Sequence, residues 1–416
     1  MRRVAIVHEW LTSYAGSERA LEEILYLFPD ADLFSIVDFL PNEQRSFLQG
    51  KPVNTSFIQR LPAARKHYRT YLPLMPLAVE QFDLSSYGLI ISSSHAVAKG
   101  VLTQPGQLHL SYVYTPMRYA WHLQSQYLNG AGLDKGLKGM LARVTLHYIR
   151  LWDARTANGV DAFAAISDFV AKRVRKVYRR DAVVIYPPVN IKEFDVQCDK
   201  ERFYLAVSRL VPYKRVDLIV EAFSRMPDKR LIVIGDGPDR EKVRAKAGSN
   251  VTLLGYQSFD AVREHMKRAC AFVYAAEEDF GIAAVEAQAC GTPVIAYGRG
   301  GLAETVVDGE TGLLFQEQTT RSLIEAVSAF DQRKPRFDPV LIRRNAERFS
   351  RERFRREFSA FVEREYAAFL ANGGVASIAH QRIPQTNQYP RVAGPPPDGC
   401  SNDLKEFAQA DVEGTR

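Results

Sequence analysis

Short apolar, β-branched runs alternate along this chain with longer segments of helical periodicity, the pattern of parallel sheets covered by helices on both faces. Two such sheets are predicted. In the first half, strands are expected at Val4–His8, Leu33–Val37, Leu89–Ser92, Leu110–Tyr114, Ala162–Ser167 and Val183–Ile185, with helices around Ser17–Phe28, Lys135–Asn158 and Asp168–Tyr178. The YPPV tract at 186–189 stops regular structure, because two consecutive prolines donate no backbone hydrogen bonds, and leads into a hinge. The pattern restarts with Phe203–Ser208, Arg230–Ile234, Val251–Leu254, Ala271–Tyr274 and Pro293–Tyr297, each followed by a helix. From Arg343 to Leu370 a charged helical pattern carries Phe349, Phe354, Phe358, Phe361, Val362, Tyr366 and Phe369. Beyond Asn372 the composition turns to Gly, Pro, Gln and Asn without periodicity, which predicts a disordered tail.

The fold class is therefore α/β, with two Rossmann-like domains at 1–190 and 191–342, a helical region at 343–371 and a tail at 372–416. A length of 416 residues, 46% hydrophobic and 25% charged, suits two soluble domains. The four cysteines form no CxxC pair and no zinc spacing with His, a pattern of reduced thiols that fits a cytoplasmic protein. No signal peptide or membrane span is expected, since the apolar stretches fall far short of the ~20 residues a span needs. The net charge of +7 lies in the first half, where residues 1–190 hold 22 Lys+Arg against 15 Asp+Glu. That excess can face an anionic membrane or a phosphorylated acceptor; no nucleic-acid motif accompanies it.

The densest chemistry lies in EEDFGIAAVEAQACGTPVIAY, residues 277–297. A helix starting near Gly281 directs free N–H groups and the positive end of its dipole at whatever lies before it, which suits an anionic or hydroxyl-rich ligand. Glu286, more than a turn inside that helix, is placed to accept from a ribose diol, and Glu278 in the loop from sugar hydroxyls. A solvated loop acid and a helix-surface acid are the plain alternative. A second segment, SRLVPYKRVDLIVEAF at 208–223, sets Arg209 at a strand end and Lys214 just before a helix. Two cations at the carboxyl edge of a parallel sheet suit a diphosphate, although a surface Arg and a helix-start Lys look the same from spacing alone.

These two segments, in this order, closely resemble the donor-binding half of retaining glycosyltransferase family 4. The resemblance implies the GT-B fold, with two Rossmann-like domains facing across a cleft and a C-terminal helix crossing back to the first. It implies that Arg209 and Lys214 bind the diphosphate, that Glu278 with the backbone of Phe280, Gly281 and Ile282 holds the donor sugar, and that Glu286 holds the ribose. By the same resemblance Ser208, Gly235 in GDGPDR and Tyr256 line the nucleotide pocket. GRGGLAETVVDGETGLLF at 298–315 also belongs to the pattern, though its glycines fit ordinary turns as well.

The first half is similar to a bacterial polysaccharide mannosyltransferase-like branch through VHEWLTSYAGSERAL at 7–21, SSSHAVAKGV at 92–101, SYVYTPMRYAW at 111–121 and ISDFVAKRVRKVY at 166–178. Gly16 there lets backbone approach the donor phosphate or the acceptor. Tyr114 stands where many relatives carry a His before the TPMR tract. His95 and His122 are candidate substitutes, and His95, Tyr114 and Arg118 are candidate acceptor or sugar contacts. No catalytic base is assigned, since a lone His near a strand end is more often a hydrogen-bonded structural residue; the resemblance implies a front-face mechanism, in which the departing phosphate itself can take the acceptor proton.

The resemblance implies a metal-independent hexosyltransferase without cofactor, moving a sugar, with mannose from GDP-mannose as first candidate, to a glycan or lipid-diphosphate-linked acceptor. A nucleotide-sugar epimerase of the same fold and a catalytically silent partner in polysaccharide assembly are the rival readings. RLPAARKHYRTYLPLMPL at 60–77 sets Arg60, Arg65, Lys66 and Arg69 among Leu61, Tyr68, Tyr71, Leu72, Leu74 and Met75. It reads either as a domain surface or as a peripheral contact with an anionic membrane at the inner face of the cytoplasmic membrane.

Overall fold

A computed structural model describes residues 3–130, 132–333 and 337–374. The expectation of a disordered tail lies, from residue 375 onward, outside the described residues. Seven strands build the first sheet: β1 (Val4–His8), β2 (Asp32–Ser35), β3 (Val53–Thr55), β4 (Leu89–Ser94), β5 (Leu108–Val113), β6 (Ala162–Ala165) and β7 (Ala182–Val184). Six build the second: β8 (Tyr204–Val207), β9 (Leu231–Ile234), β10 (Val251–Gly255), β11 (Ala271–Tyr274), β12 (Val294–Tyr297) and β13 (Gly312–Phe315).

The spatial order is β3-β2-β1-β4-β5-β6-β7 in one sheet and β10-β9-β8-β11-β12-β13 in the other, and every pairing is parallel. Both sheets are therefore doubly wound, as the alternation of apolar runs and helical segments requires. Each reverses direction once, between β1 and β4 and between β8 and β11, and loops at the carboxyl ends of those strands open a crevice for ligands. Strands β4, β5, β9 and β11 are buried along their whole length; β9 (LIVI) and β11 (AFVY) accordingly read as continuous apolar runs, whereas β4 and β5 bury polar residues too, Ser92 sharing a 2.9 Å bond with His109.

The long C-terminal helix pattern is two helices, Pro339–Glu347 and Arg351–Ala371. Ser350 caps the second, its hydroxyl accepting from the Arg353 N–H, and the Phe349 carbonyl between them accepts from the Val189 N–H at 2.8 Å. The break lets the chain cross back to the first half. There Phe354 and Phe358 set their rings edge-on to Tyr112 of β5, at 5.5 and 5.8 Å. Arg351 and Arg355 pair with Glu23 on the helix Gly16–Leu27. The Arg353 guanidinium donates to the Tyr186 carbonyl at 2.8 Å, tying down the YPPV tract.

The 60–77 segment is short helices and 3-10 turns laid on the first domain. Tyr68 and Met75 are inside its core, with Leu61, Tyr71 and Leu72 packed against it, while Arg60, Arg65, Lys66 and Arg69 stay exposed. Most of its apolar residues are thus already covered. Among the described residues no helix is long and apolar enough to cross a membrane.

Candidate functional site

The carboxyl edge of the second sheet gathers the candidate donor residues at its switch point. Ser208 and Arg209 follow β8, and Lys214 closes the 3-10 turn Pro212–Lys214 that precedes the helix Val216–Ser224. Arg215, in left-handed backbone with φ 53°, makes the bend between turn and helix. Gly235 ends β9 at φ 140°, and a Cβ there would lie 1.9 Å from the Ser208 carbonyl oxygen, so only glycine lets these two loops touch.

Across the switch point, the loop after β11 carries Glu277, Glu278 and Asp279 into the helix Ile282–Ala289, whose N-cap is Gly281 at φ 90°. The Lys214 ammonium donates to the Tyr274 hydroxyl at 3.0 Å and pairs with Glu278, and Tyr274 in turn donates to Glu278 at 3.1 Å. Burial alone lowers the pKa of the lysine, but the charge of Glu278 and these hydrogen bonds outweigh it and hold the ammonium above its ordinary range. Burial and then Glu278 push the Tyr274 phenol up to about 12. Lys214 is thus a fixed cation.

Arg209 differs. It is exposed, and among the described residues its guanidinium has no partner. The site accordingly holds one cation neutralised by a carboxylate and one left open to an anion, beside a helix N-terminus. That set of charges is suited to a diphosphate and to the sugar bonded to it. Tyr256, 82% exposed after β10, offers an aromatic face on the same edge.

Residues 190–336 match the family model for glycosyl transferases group 1. Over 173 residues the chain is 35% identical to the uncharacterized glycosyltransferase MJ1178 of Methanocaldococcus jannaschii, covering 40% of this chain and 48% of that protein. Over 154 residues it is 34% identical to the D-inositol 3-phosphate glycosyltransferase of Mycobacteroides abscessus, covering 34% of each chain. The matches thus span half or less of the length of these relatives. Among solved structures, sucrose-phosphate synthase from Thermosynechococcus elongatus superposes with a TM-score of 0.68 at 17% identity, over 88% of this chain and all of that one. Anabaena HepE in complex with UDP and glucose superposes with a TM-score of 0.63 at 16% identity, over 87% and 100%. The fold is that of the GT-B glycosyltransferases.

The group 1 region meets the first half through charge. Asp279, which the sequence reading passed over, is buried and takes Arg118 at 3.0 Å through Nε and Arg173 at 2.5 Å, while its carbonyl accepts from the Ser167 hydroxyl at 2.6 Å. Arg118 therefore points at Asp279, and burial, which lowers its pKa, is outweighed by Asp279 and Glu278, which raise it. Glu304 accepts from the N–H groups of Asp168 and Phe169 at 2.8 and 2.9 Å, capping a first-half helix from the second half. Arg19 pairs with Glu286, so the carboxylate read as ribose-binding is held by an arginine of the facing wall. A Cβ on Gly16 would lie 2.9 Å from Ile282 Cδ1, so the close approach this glycine permits is to the group 1 region.

Of the remaining first-half candidates, Tyr114 and the His95 loop are tied into local contacts. The Tyr114 hydroxyl donates to the Ser17 carbonyl at 2.9 Å and shares a 2.8 Å bond with the Ser93 hydroxyl. Burial drives its pKa well above the ordinary value, so Tyr114 is a hydrogen-bonded strut and not a base near neutral pH. Ser93 also bonds His8 at 2.9 Å, and His8 faces Glu18 at 3.3 Å, a buried string that positions the loop after β1. The His95 ring stands edge-on to Trp10 at 4.7 Å, and burial lowers its pKa against the pull of Glu9. Glu9 itself accepts from four backbone N–H groups at 95–98, fixing the His95 loop. His122 is exposed, near Arg118, Arg173 and Asp279. Among the described residues no group of three His, Cys, Asp or Glu side chains could hold a metal ion.

Proposed function

We propose that this chain is a retaining, metal-independent glycosyltransferase that moves a hexose from a nucleotide sugar to a glycan or lipid-linked acceptor. Residues 1–190 form its acceptor-side domain, 191–342 its donor domain and 343–371 the crossover. The observation that carries this reading is the exposed, unpartnered Arg209 beside the Lys214–Glu278 pair and the Gly281 helix start, all at one switch point. Cleavage of the sugar–phosphate bond builds negative charge on the diphosphate, and preorganised cations and N–H groups stabilise that charge most where it develops.

Glu278 and the Phe280–Ile282 backbone hold the sugar, Glu286 accepts from the ribose once Arg19 yields, and Ser208, Gly235 and Tyr256 line the nucleotide. The departing phosphate takes the acceptor proton, consistent with Tyr114 being held as a hydrogen-bonded strut. GDP-mannose is the first candidate donor, from the likeness of the first half to polysaccharide mannosyltransferases. HepE, with UDP and glucose in its crystal structure, makes UDP-glucose the second arm of the test.

The experiment is a thermal-shift panel of GDP, UDP, ADP and their sugar conjugates, followed by NMR of the product anomer from the donor that binds. A ligand that binds only the native state raises its melting temperature, by ~2.7 kcal/mol of stabilisation at a hundredfold excess over Kd. Transfer with retention of the donor anomer supports the reading. Free isomerised sugar without acceptor points to an epimerase, and binding without any turnover to a silent assembly partner.

A further inference from the structure

The helix Gly136–Thr156 is apolar on two faces, and the fold covers only one of them. Gly139, Leu146, Ile149 and Asp153 are buried against the first domain. Leu137, Met140, Leu141, Val144, Tyr148 and Leu151 are between 52% and 77% exposed. At the helical repeat these six fall within an arc of about 100°, along a line about 21 Å long. A helix apolar on all sides is ordinarily buried on all sides, and a contiguous exposed apolar surface marks an interaction site.

Charge selects the occupant. Exposed Lys138, Arg143 and Arg155 accompany the stripe, whereas Asp153, the single acid of the helix, is buried against Lys99. From Leu84 to Trp152 the chain carries Asp134 as its one acidic residue. Pairing this face with a second copy of itself would bring like charges together. An anionic bilayer instead takes apolar side chains beneath its headgroups and cations among them. The geometry points to Gly136–Thr156 as the element that seats this chain on an anionic lipid surface.

The helix Met75–Glu80, which continues segment 60–77, stands beside it, since Trp152 donates to Glu80 at 2.6 Å, and that segment contributes exposed cations more than insertable side chains. The same helix holds the loop that carries Arg118. Arg150 donates to the Ala120 carbonyl at 3.0 Å, and Trp121 donates to Asp153 at 2.7 Å. A seated helix therefore brings the acceptor wall of the cleft to the membrane, which places a lipid-linked acceptor within its reach. That last step rests on the transferase reading; lipid binding itself does not.

The test is cosedimentation of the full chain with phosphatidylglycerol-containing and pure phosphatidylcholine vesicles at low and high salt. One variant combines Leu137→Gln, Leu141→Gln, Val144→Gln and Leu151→Gln, and a second changes Arg60, Arg65, Lys66 and Arg69 to Ser. The wild type should bind the anionic vesicles, less at high salt, and the glutamine variant should lose at least about tenfold in partitioning. The serine variant should lose less. Equal binding of wild type and glutamine variant, or no wild-type binding, overturns the inference. So does a wild-type dimer in sedimentation velocity that the glutamine variant loses, which would assign the face to a second copy. A nucleoside diphosphate thermal shift kept by the glutamine variant shows an intact fold; its absence in the wild type counts against the transferase reading alone.

Discussion

The two walls of the cleft are built by different means. The donor wall takes its charged groups from two short stretches, 208–214 and 277–286, and leaves one cation, Arg209, open. The acceptor wall sends its arginines from three separate elements, and Arg19, Arg118 and Arg173 are all spent on carboxylates of the donor wall. On the proposed reading one wall is arranged for a ligand, while the other is arranged for its neighbour. If the proposed function holds, the difference separates residues that act on a donor from residues that set how the halves meet.

Substitutions on the two walls should therefore fail in different ways. Arg209→Ala and Lys214→Ala should each lower turnover by about two to three orders of magnitude while circular dichroism stays native, the usual loss when a preorganised charge-stabilising donor is removed. Near-normal rates in folded mutants would erase the distinction. Asp279→Ala, which takes its carboxylate from Arg118 and leaves Arg173 with Glu277 and Thr115, should cost about 1.5–3 kcal/mol of stability, read as a lower midpoint in urea. An unchanged midpoint would mean that the cross-cleft pairs hold nothing.

Smaller effects sharpen the comparison. Glu286→Gln should weaken nucleotide binding roughly tenfold in titration calorimetry, as a charged hydrogen bond to the ribose becomes a neutral one. Tyr114→Phe should cost about 1 kcal/mol of stability and change turnover by less than roughly tenfold, since it removes a strut and not a base. Arg19→Ala should move nucleotide affinity least, upward by roughly two- to fivefold, because a partly exposed ion pair worth under about 1 kcal/mol no longer competes for Glu286. A loss of affinity would instead make Arg19 part of the donor site.

The same difference governs what was legible in the sequence. Glu278, Glu286, Arg209 and Lys214 sit in local patterns, and the periodicity around them reveals their strand ends and helix starts. Asp279 stands between two of them yet went unread, because its partners lie 161 and 106 residues away and no local spacing links them. Strand β3 was missed because its three residues, Val53, Asn54 and Thr55, lie half-exposed at a sheet edge and show no apolar run. Strand β13 opens on Gly312, which reads as a turn. A Cβ there would lie 1.9 Å from the Val294 carbonyl oxygen, so the glycine permits the pairing that hides it. The C-terminal break at Ser350 leaves only a faint mark, a five-residue step from Phe349 to Phe354 before the spacings of four and three to Phe358 and Phe361. The helix Gly136–Thr156 was found as a helix, but which of its apolar faces is covered depends on tertiary packing.

Arg209 decides whether the donor wall is what its geometry suggests. Titration calorimetry of GDP and UDP, with guanosine and uridine alongside, on wild type and Arg209→Ala isolates the contribution of the diphosphate. The diphosphate should bind the wild type and lose at least about tenfold in affinity in the mutant, a charged hydrogen bond being worth roughly 1.5–3 kcal/mol, while the nucleosides bind both proteins alike. Equal affinity of wild type and Arg209→Ala for the diphosphate that binds would contradict the assignment.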